Sequence, residues 1–345
     1  MVRGLLVRLL QGEASVEVVG TASNGRDALA AQARLRPDVI VLDIEMPVMD
    51  GLAALPELVK ADPAVQVVVA STLTTRGADV TLRALRLGAA DYVPKPTAIG
   101  AIASGDGFRK DLVEKIKALG AAAQRRREPS RIDHAAEPRP AARPVVAAAQ
   151  PPAVVAIGAS TGGPQALFRL MRDLGPGFPL PILITQHMPA AFIPILADHI
   201  TRLGGVPCHE ARDGELIEAG RAYLAPGDRH LLVAGESGAP RATLSSAPPE
   251  NFCRPAVDPM FRSAAAVFGG RTLAVVLTGM GHDGLAGARQ IVGQGGVVLA
   301  QDESTSVVWG MPGAIVQADL ASAVLPIDRL AHRIATLSGA NRVPS

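Results

Sequence analysis

The sequence predicts an α/β protein made of two parallel-sheet domains joined by a linker. Short apolar, β-branched runs alternate with segments of helical periodicity in both halves of the chain, which is typical of βα units. A stretch rich in proline and arginine separates the halves. Polar residues follow several apolar runs directly, and such positions converge on one edge of a parallel sheet, where ligands bind.

Composition narrows the classes of function. A chain of 345 residues favours two domains, and 48% apolar residues suffice for packed cores. A net charge of +2 and only 3% aromatic residues argue against a nucleic-acid partner. No apolar run reaches about 18 residues, so we expect no membrane insertion. Cys208 and Cys253 are too few for a disulfide framework, and we interpret both as buried free thiols of a cytosolic protein.

The first half reads as four βα repeats. We expect buried strands at residues 16–20, 39–42, 65–70 and 91–93, and helices at residues 27–35, 52–60, 78–87 and 111–119. Asp43, Ser71 and Lys95 each follow one of these strands, so they should meet at one sheet edge. A carboxylate, a hydroxyl and a fixed ammonium suit a phosphoryl acceptor. The alternative is that Asp43 caps a turn and Lys95 lies on the surface.

Residues 41–51, Val-Leu-Asp-Ile-Glu-Met-Pro-Val-Met-Asp-Gly, resemble the phosphorylation segment of response-regulator receiver domains. The resemblance implies a flavodoxin-like domain over residues 1–120, with Asp43 as phosphorylation site and Ser71 and Lys95 as its switch residues. It also implies a histidine kinase as phosphodonor and Mg²⁺ as cofactor.

The sequence departs from the receiver pattern at its start. The acidic pair that holds Mg²⁺ in this family is absent, so Asp43 is the only remaining candidate ligand. The first strand of the family is absent too, which should split the sheet and leave edges unpaired. We therefore expect that Met1 is an internal start, that this receiver is N-terminally incomplete, and that the chain as given binds Mg²⁺ poorly and is phosphorylated weakly.

Residues 121–152 contain six prolines and six arginines, and we predict a semi-extended linker there. Arg125, Arg126 and Arg127 could contact a phosphate or a membrane. The simpler interpretation, which we favour, is the solvated end of the preceding helix.

The second half, residues 153–340, continues the βα pattern. We predict strands at 154–157, 182–184 and 273–277 and helices at 165–174 and 285–294. Runs at 221–224 and 230–233 flank a Pro-Gly-Asp turn, which predicts a β-hairpin.

A serine, a histidine and an aspartate follow the three strands of this half. Ser160 lies in a G-x-S-x-G turn before a helix, which is typical of a nucleophile elbow, although such a loop can also bind a phosphate. His187 could accept the serine proton or be a core histidine. Asp283 could orient His187 or cap the next helix. His282 is a weaker rival for the base.

Three segments resemble the catalytic domain of the chemotaxis protein-glutamate methylesterases: residues 158–164, 186–189 and 278–284. The resemblance implies that Ser160 is the nucleophile, His187 the general base and Asp283 its orienting carboxylate. It places Thr161 and Met280 along the site, with the Met280 amide as an oxyanion donor. It implies no cofactor for catalysis.

The implied activity is hydrolysis of glutamate γ-methyl esters on the cytoplasmic helices of methylated chemoreceptors, together with deamidation of receptor glutamines. Phosphorylation of the receiver would control it, because the unphosphorylated receiver is expected to cover the active-site edge. The alternative is a response regulator whose output domain binds a nucleotide or a protein without catalysis. Gln186 and His187, rather than an acidic residue suited to a ribose, end the second strand, which argues against a nucleotide.

Overall fold

The computed structural model describes residues 2–72, 74–95, 106–127 and 150–340. The chain divides into two compact units, Met1–His134 and Ala135–Ser345. Most of the predicted linker lies outside the described residues.

The first unit is a three-stranded parallel sheet in the order β1-β2-β3 with flanking helices. Its elements are α1 (Val2–Gln11), α2 (Gly25–Leu35), β1 (Val39–Asp43), α3 (Gly51–Ala61), β2 (Gln66–Ser71), α4 (Thr75–Arg86), β3 (Asp91–Pro94) and α5 (Asp106–Arg127).

Side-chain caps fix where the helices of this unit begin. Asn24, Asp50 and Thr74 precede α2, α3 and α4, and each accepts a hydrogen bond from an amide in the first turn. Every residue of β2 is buried, as expected for the central strand of a sheet covered on both faces.

The strand predicted at residues 16–20 is wrong. These residues run without strand pairing, and a cavity of about 560 Å³ lies between them, α1 and β1. A β-branched run becomes a strand only when a neighbouring backbone satisfies its amides and carbonyls. Among the described residues, none pairs with 16–20 to do so, and β1 is an edge strand of the sheet.

The first seven residues of the predicted linker, 121–127, are helical. Helix α5 continues through Arg127, so residues 121–127 belong to the first unit. Arg127 is held by the carboxylates of Asp38 and Asp62, at 2.5 and 2.6 Å. The last arginine of the cluster therefore fastens the helix end to its own domain.

The second unit contains a seven-stranded parallel sheet in the order β12-β11-β10-β4-β5-β7-β6 and a two-stranded antiparallel ribbon, β8-β9. The strands are β4 (Val154–Ala159), β5 (Ile182–Gln186), β6 (Cys208–Glu210), β7 (Ala222–Leu224), β8 (His230–Ala234), β9 (Arg241–Ser245), β10 (Thr272–Val276), β11 (Val297–Gln301) and β12 (Ala323–Leu325). The helices are α6 (Gly163–Leu174), α7 (Ile193–Arg202), α8 (Val257–Phe268), α9 (Leu285–Gly293), α10 (Met311–Gln317) and α11 (Ile327–Leu337).

Helices cover both faces of this sheet, as a doubly wound fold requires. Helices α6, α7 and α11 pack together on one side, and α8, α9 and α10 on the other. Alternate residues of β4 and β10, such as Ala156 and Ala274, join Phe261 and Met260 of α8 in one buried core. The central strands β4, β5, β10 and β11 are buried throughout. The predicted fold class is confirmed.

The hairpin predicted around the Pro-Gly-Asp turn is wrong. Residues 222–224 form β7, which pairs in parallel with β5 and β6, whereas β8 pairs with β9 further along the chain. The turn joins two sheets. Because Ala222, Tyr223 and Leu224 are all buried, they extend the main sheet, where apolar surface is covered on both faces.

Among the described residues, no helix combines the length and the apolar content needed to cross a membrane.

Candidate active site

The strand register brings two of the predicted site residues side by side. Ala159 at the end of β4 pairs with Gln186 at the end of β5, so Ser160 and His187 leave neighbouring strands at the same level. Strand β10 lies on the other side of β4, and the segment that follows it carries Asp283. The three residues therefore lie at the carboxyl edge of one sheet, as predicted.

Two glycines shape the turn that carries Ser160. Gly162 has a φ of +76°, in the left-handed region that favours glycine, and it directly precedes α6. A Cβ at Gly279 would lie 2.8 Å from the Cβ of Ser160, so only glycine allows this approach. The Ser160 amide donates to the carbonyl of Thr278 at 3.1 Å, which ties the turn to the segment after β10.

His187 contacts Asp283 directly. The Nε2 atom of His187 lies 2.8 Å from Oδ2 of Asp283, and the two side chains are 13% and 3% exposed. Among the contacts of the described residues, the structure gives the ring no hydrogen bond to the Ser160 hydroxyl. Catalytic hydrogen bonds of this kind are often long or poorly aligned without substrate and tighten in the substrate complex.

Asp283 is held by donors from three directions. Its carboxylate accepts the amides of Val257 and Asp258, at 2.6 and 3.1 Å, and its own neighbour's amide, Gly284, at 2.9 Å. The side chain of Asn251 donates to Oδ1 at 2.9 Å. Val257 and Asp258 are the first residues of α8, so Asp283 lies at the positive end of that helix.

Asp283 caps a different helix from the one that the sequence suggested. The alternative interpretation made it the N-cap of the following helix, but that helix, α9, is preceded by Gly284. Asp283 instead satisfies the first amides of α8. Burial alone would raise the pKa of Asp283; the hydrogen bonds from His187, Val257 and Asp258 outweigh it and lower the pKa. The side chain is therefore a carboxylate at neutral pH.

Cys253 is a site residue that the sequence analysis missed. Its Sγ lies 3.5 Å from Nδ1 of His187, so both ring nitrogens have a neighbour. Burial lowers the pKa of His187, but the hydrogen bonds with Asp283 and Cys253 more than compensate and raise it from 6.5 to about 9. No motif in the sequence marks Cys253, because its contact with His187 joins residues that are 66 apart along the chain.

Thr161 and Met280 lie beside Ser160. Thr161 is buried, and its carbonyl accepts a hydrogen bond from the Thr278 hydroxyl at 2.9 Å. Met280 follows Gly279, which packs against Ser160. His282, the rival base, is exposed, and its carbonyl accepts the amide of Leu285.

The first unit places its predicted residues along the carboxyl edge of its own sheet. The Lys95 ammonium lies 2.7 Å from Oδ1 of Asp43 and 3.4 Å from Oε2 of Glu45. Ser71 is buried; its hydroxyl donates to the carbonyl of Gly77 at 3.1 Å and accepts from Thr81. A cavity of about 420 Å³ between Ser71, Lys95 and the start of α4 adjoins this edge.

The described residues do not complete a magnesium site. No group of three His, Cys, Asp or Glu side chains within the described ranges could hold a metal ion. The carboxylate of Asp43 faces an ammonium, and Glu45 is exposed and bound to the same ammonium. Mg²⁺ prefers a nearly octahedral set of oxygen ligands, which this arrangement does not supply.

The first unit carries an aspartate and a lysine at the edge of its parallel sheet, and the second carries a serine, a histidine and an aspartate at the edge of its own. Together they indicate a class of protein: a hydrolase joined to a response-regulator domain. The family model of the response regulator receiver domain matches residues 1–104, and that of the CheB methylesterase matches residues 155–334. The chain belongs to the CheB methylesterase family, and it is a hydrolase.

Named relatives and a solved structure agree. A protein-glutamate methylesterase/protein-glutamine glutaminase of Rhodospirillum centenum is 53% identical, covering 96% of this chain and 89% of that protein. One of Azospirillum brasilense is 52% identical, covering 96% and 88%. The crystal structure of the Thermotoga maritima CheB methylesterase catalytic domain is 39% identical with a TM-score of 0.53, and covers 54% of this chain and 98% of that domain.

Proposed function

We propose that the second unit hydrolyses glutamate γ-methyl esters on the cytoplasmic helices of chemoreceptors and deamidates glutamines of the same helices. Ser160 is the nucleophile, His187 the general base and Asp283 the residue that orients it. The contact between His187 and Asp283, at the sheet edge where Ser160 also lies, carries this proposal. This hydrolysis takes place in the cytoplasm.

The reaction runs in two steps. Ser160 Oγ attacks the ester carbonyl while its proton passes to Nδ1 of His187, the ring nitrogen that does not face Asp283. As the C–O bond breaks, His187 gives that proton to the departing methoxide oxygen, and methanol leaves. A water molecule, deprotonated by His187, hydrolyses the acyl-enzyme and releases the glutamate carboxylate and Ser160. For glutamine the same steps release ammonia. The Met280 backbone amide is the proposed oxyanion donor, and the positive end of α6 adds to the stabilisation.

The test is methanol release from methylated chemoreceptor, with the same receptor in unmethylated form as the control. We expect methanol from the methylated receptor only. An output domain that only binds a nucleotide or protein would release none.

The first unit is proposed to control this activity. A histidine kinase is the phosphodonor, and Asp43 at the end of β1, beside Lys95, is the acceptor. A new phosphate beside the ammonium competes with Glu45 for it and offers acceptors to the Ser71 hydroxyl, which now donates to Gly77. Such a change at the Lys95 edge would alter the surface with which the receiver restrains the hydrolase.

Removal of the receiver is expected to activate the enzyme. A fragment of residues 153–340 should release methanol without phosphodonor faster than the full chain does, because the inhibitory surface is gone. The measurement compares initial rates on methylated receptor at equal enzyme concentration. The full chain with Asp43→Asn is the control and should stay slow when a phosphodonor is added. A fragment slower than the full chain would reject inhibition by the receiver.

Substitution of Cys253 is expected to move the pH profile. The contact with Cys253 is one cause of the raised pKa of His187, so Cys253→Ala should lower that pKa. The reaction needs the neutral ring, so kcat/KM rises with pH as the ring loses its proton. The rising limb should therefore shift to lower pH in Cys253→Ala. Cys208→Ala, in strand β6, is the control and should leave the profile in place. If the wild type, Cys253→Ala and Cys208→Ala had the same pH profile, Cys253 would not be a cause of the raised pKa of His187.

A further inference from the structure

The loop of residues 250–253 presents an aromatic ring to solvent beside the active site. Phe252 is 98% exposed, in contrast to Phe261 and Phe268 of the neighbouring helix α8, which are buried. Asn251 and Phe252 both have positive φ, +51° and +62°, a conformation that residues other than glycine rarely adopt. Backbone strain in two consecutive residues persists only where surrounding contacts impose it.

Several contacts impose this conformation. Glu250 and Cys253 exchange two backbone hydrogen bonds, of 3.1 and 2.8 Å, which close the loop. The carboxylate of Glu250 forms two hydrogen bonds with the guanidinium of Arg262, at 2.6 and 2.9 Å. The amide group of Asn251 bridges Asp258 and Asp283, each at 2.9 Å. These contacts fix the loop at both ends and hold the phenyl ring of Phe252 in its exposed position.

Both neighbours of Phe252 contact the catalytic residues. Asn251 donates to Asp283, and Cys253 lies against His187. The backbone of Phe252 is therefore directly next to the His187–Asp283 pair. Ser160 and His187 leave neighbouring strands, so a protein that offers a side chain to Ser160 is expected to lie near this ring. The ring itself has no group that exchanges protons, so its contribution is apolar contact.

We propose that Phe252 is a docking residue that packs against an apolar side chain on the helix of the protein substrate, three or four positions from the glutamate ester. The proposal rests on the proposed function. Residues three or four apart share one face of a helix, so a helix that offers an ester to Ser160 presents such a neighbour to an adjoining contact. Burial of a phenyl ring on binding is favourable, and aromatic residues are frequent energetic anchors of interfaces. A small ester has no such neighbour and gains nothing from Phe252.

The test compares two substrates in the full chain. The variants Phe252→Ala and Phe252→Leu are assayed on methylated chemoreceptor, by methanol release, and on p-nitrophenyl acetate, by absorbance. We expect kcat/KM on the receptor to fall roughly 10- to 100-fold in Phe252→Ala, mainly through KM. The rate on p-nitrophenyl acetate should not change, and Phe252→Leu should recover part of the loss. Val292→Ala, another exposed apolar residue of the same domain, should match the wild type on both substrates.

Two results would overturn the proposal. An unchanged kcat/KM on the receptor would show that the ring makes no productive contact. Equal losses on both substrates would show that Phe252 acts through the loop on His187 and Asp283, which makes its role structural. Failure of the wild-type enzyme to release methanol from the receptor would reject the proposed function. This result comes from the wild type alone, so it is distinct from a failure of the Phe252 proposal, which the variants test.

Discussion

Replacement of Ser160 by alanine is expected to reduce methanol release from methylated receptor by at least about 10³-fold, because no acyl-enzyme can form. The fold should persist, since the hydrogen bonds that hold this turn involve the backbone of Ser160. The measurement combines the rate assay with labelling by a fluorophosphonate, read as a mass increase of the intact protein. The wild type should be labelled once, and Ser160→Ala should remain unlabelled.

Cys253→Ala is the matched control for this experiment. A cysteine against a histidine that contacts an aspartate is itself an arrangement suited to nucleophilic catalysis, so the structure contains a second candidate nucleophile. We expect Cys253→Ala to retain labelling and turnover. If Ser160→Ala kept its activity and Cys253→Ala lost it, the nucleophile would have to be reassigned to Cys253.

Substitution of Asp283 by asparagine is expected to lower kcat by about 10⁴-fold, because the amide cannot stabilise the imidazolium or fix the ring's tautomer. It should also destabilise the fold. One oxygen of the carboxylate becomes an NH₂ group, which cannot accept the amides of Val257 or Asp258. Each buried donor left without a partner costs about 1–3 kcal/mol. Rates on the receptor and thermal melting together measure both effects.

The control for Asp283→Asn is Asp258→Asn. Asp258 is buried at the same end of α8 and shares Asn251 with Asp283, but its other oxygen accepts the amide of Gly287 and it does not contact His187. We expect Asp258→Asn to have a lower melting temperature than the wild type but to keep most of the rate of methanol release. Equal loss of rate in both variants would mean that Asp283 acts only by supporting the fold.

Sequence patterns predicted the elements that carry their own local signal. Buried parallel strands such as β4, β5 and β10 appear as continuous apolar runs, and the residues that follow them must meet at one edge. The positions of Ser160 and His187 were therefore predictable without coordinates. The predicted strand at 16–20 was wrong because strand formation depends on a partner backbone, which a local pattern does not reveal. The predicted hairpin failed similarly, since the turn signal was correct but did not specify which strands would pair.

The sequence by itself determined the two α/β domains, the order of Asp43, Lys95, Ser160, His187 and Asp283 along the strand ends, and the family. These follow from apolar periodicity and from short motifs, which are local properties of the chain. Only the tertiary structure decided that Asp283 receives the first amides of α8, that Cys253 lies against His187, and that Phe252 remains exposed beside them. Cys253 and His187 are 66 residues apart, and contacts at such separations are set by how helices and loops pack on the sheet.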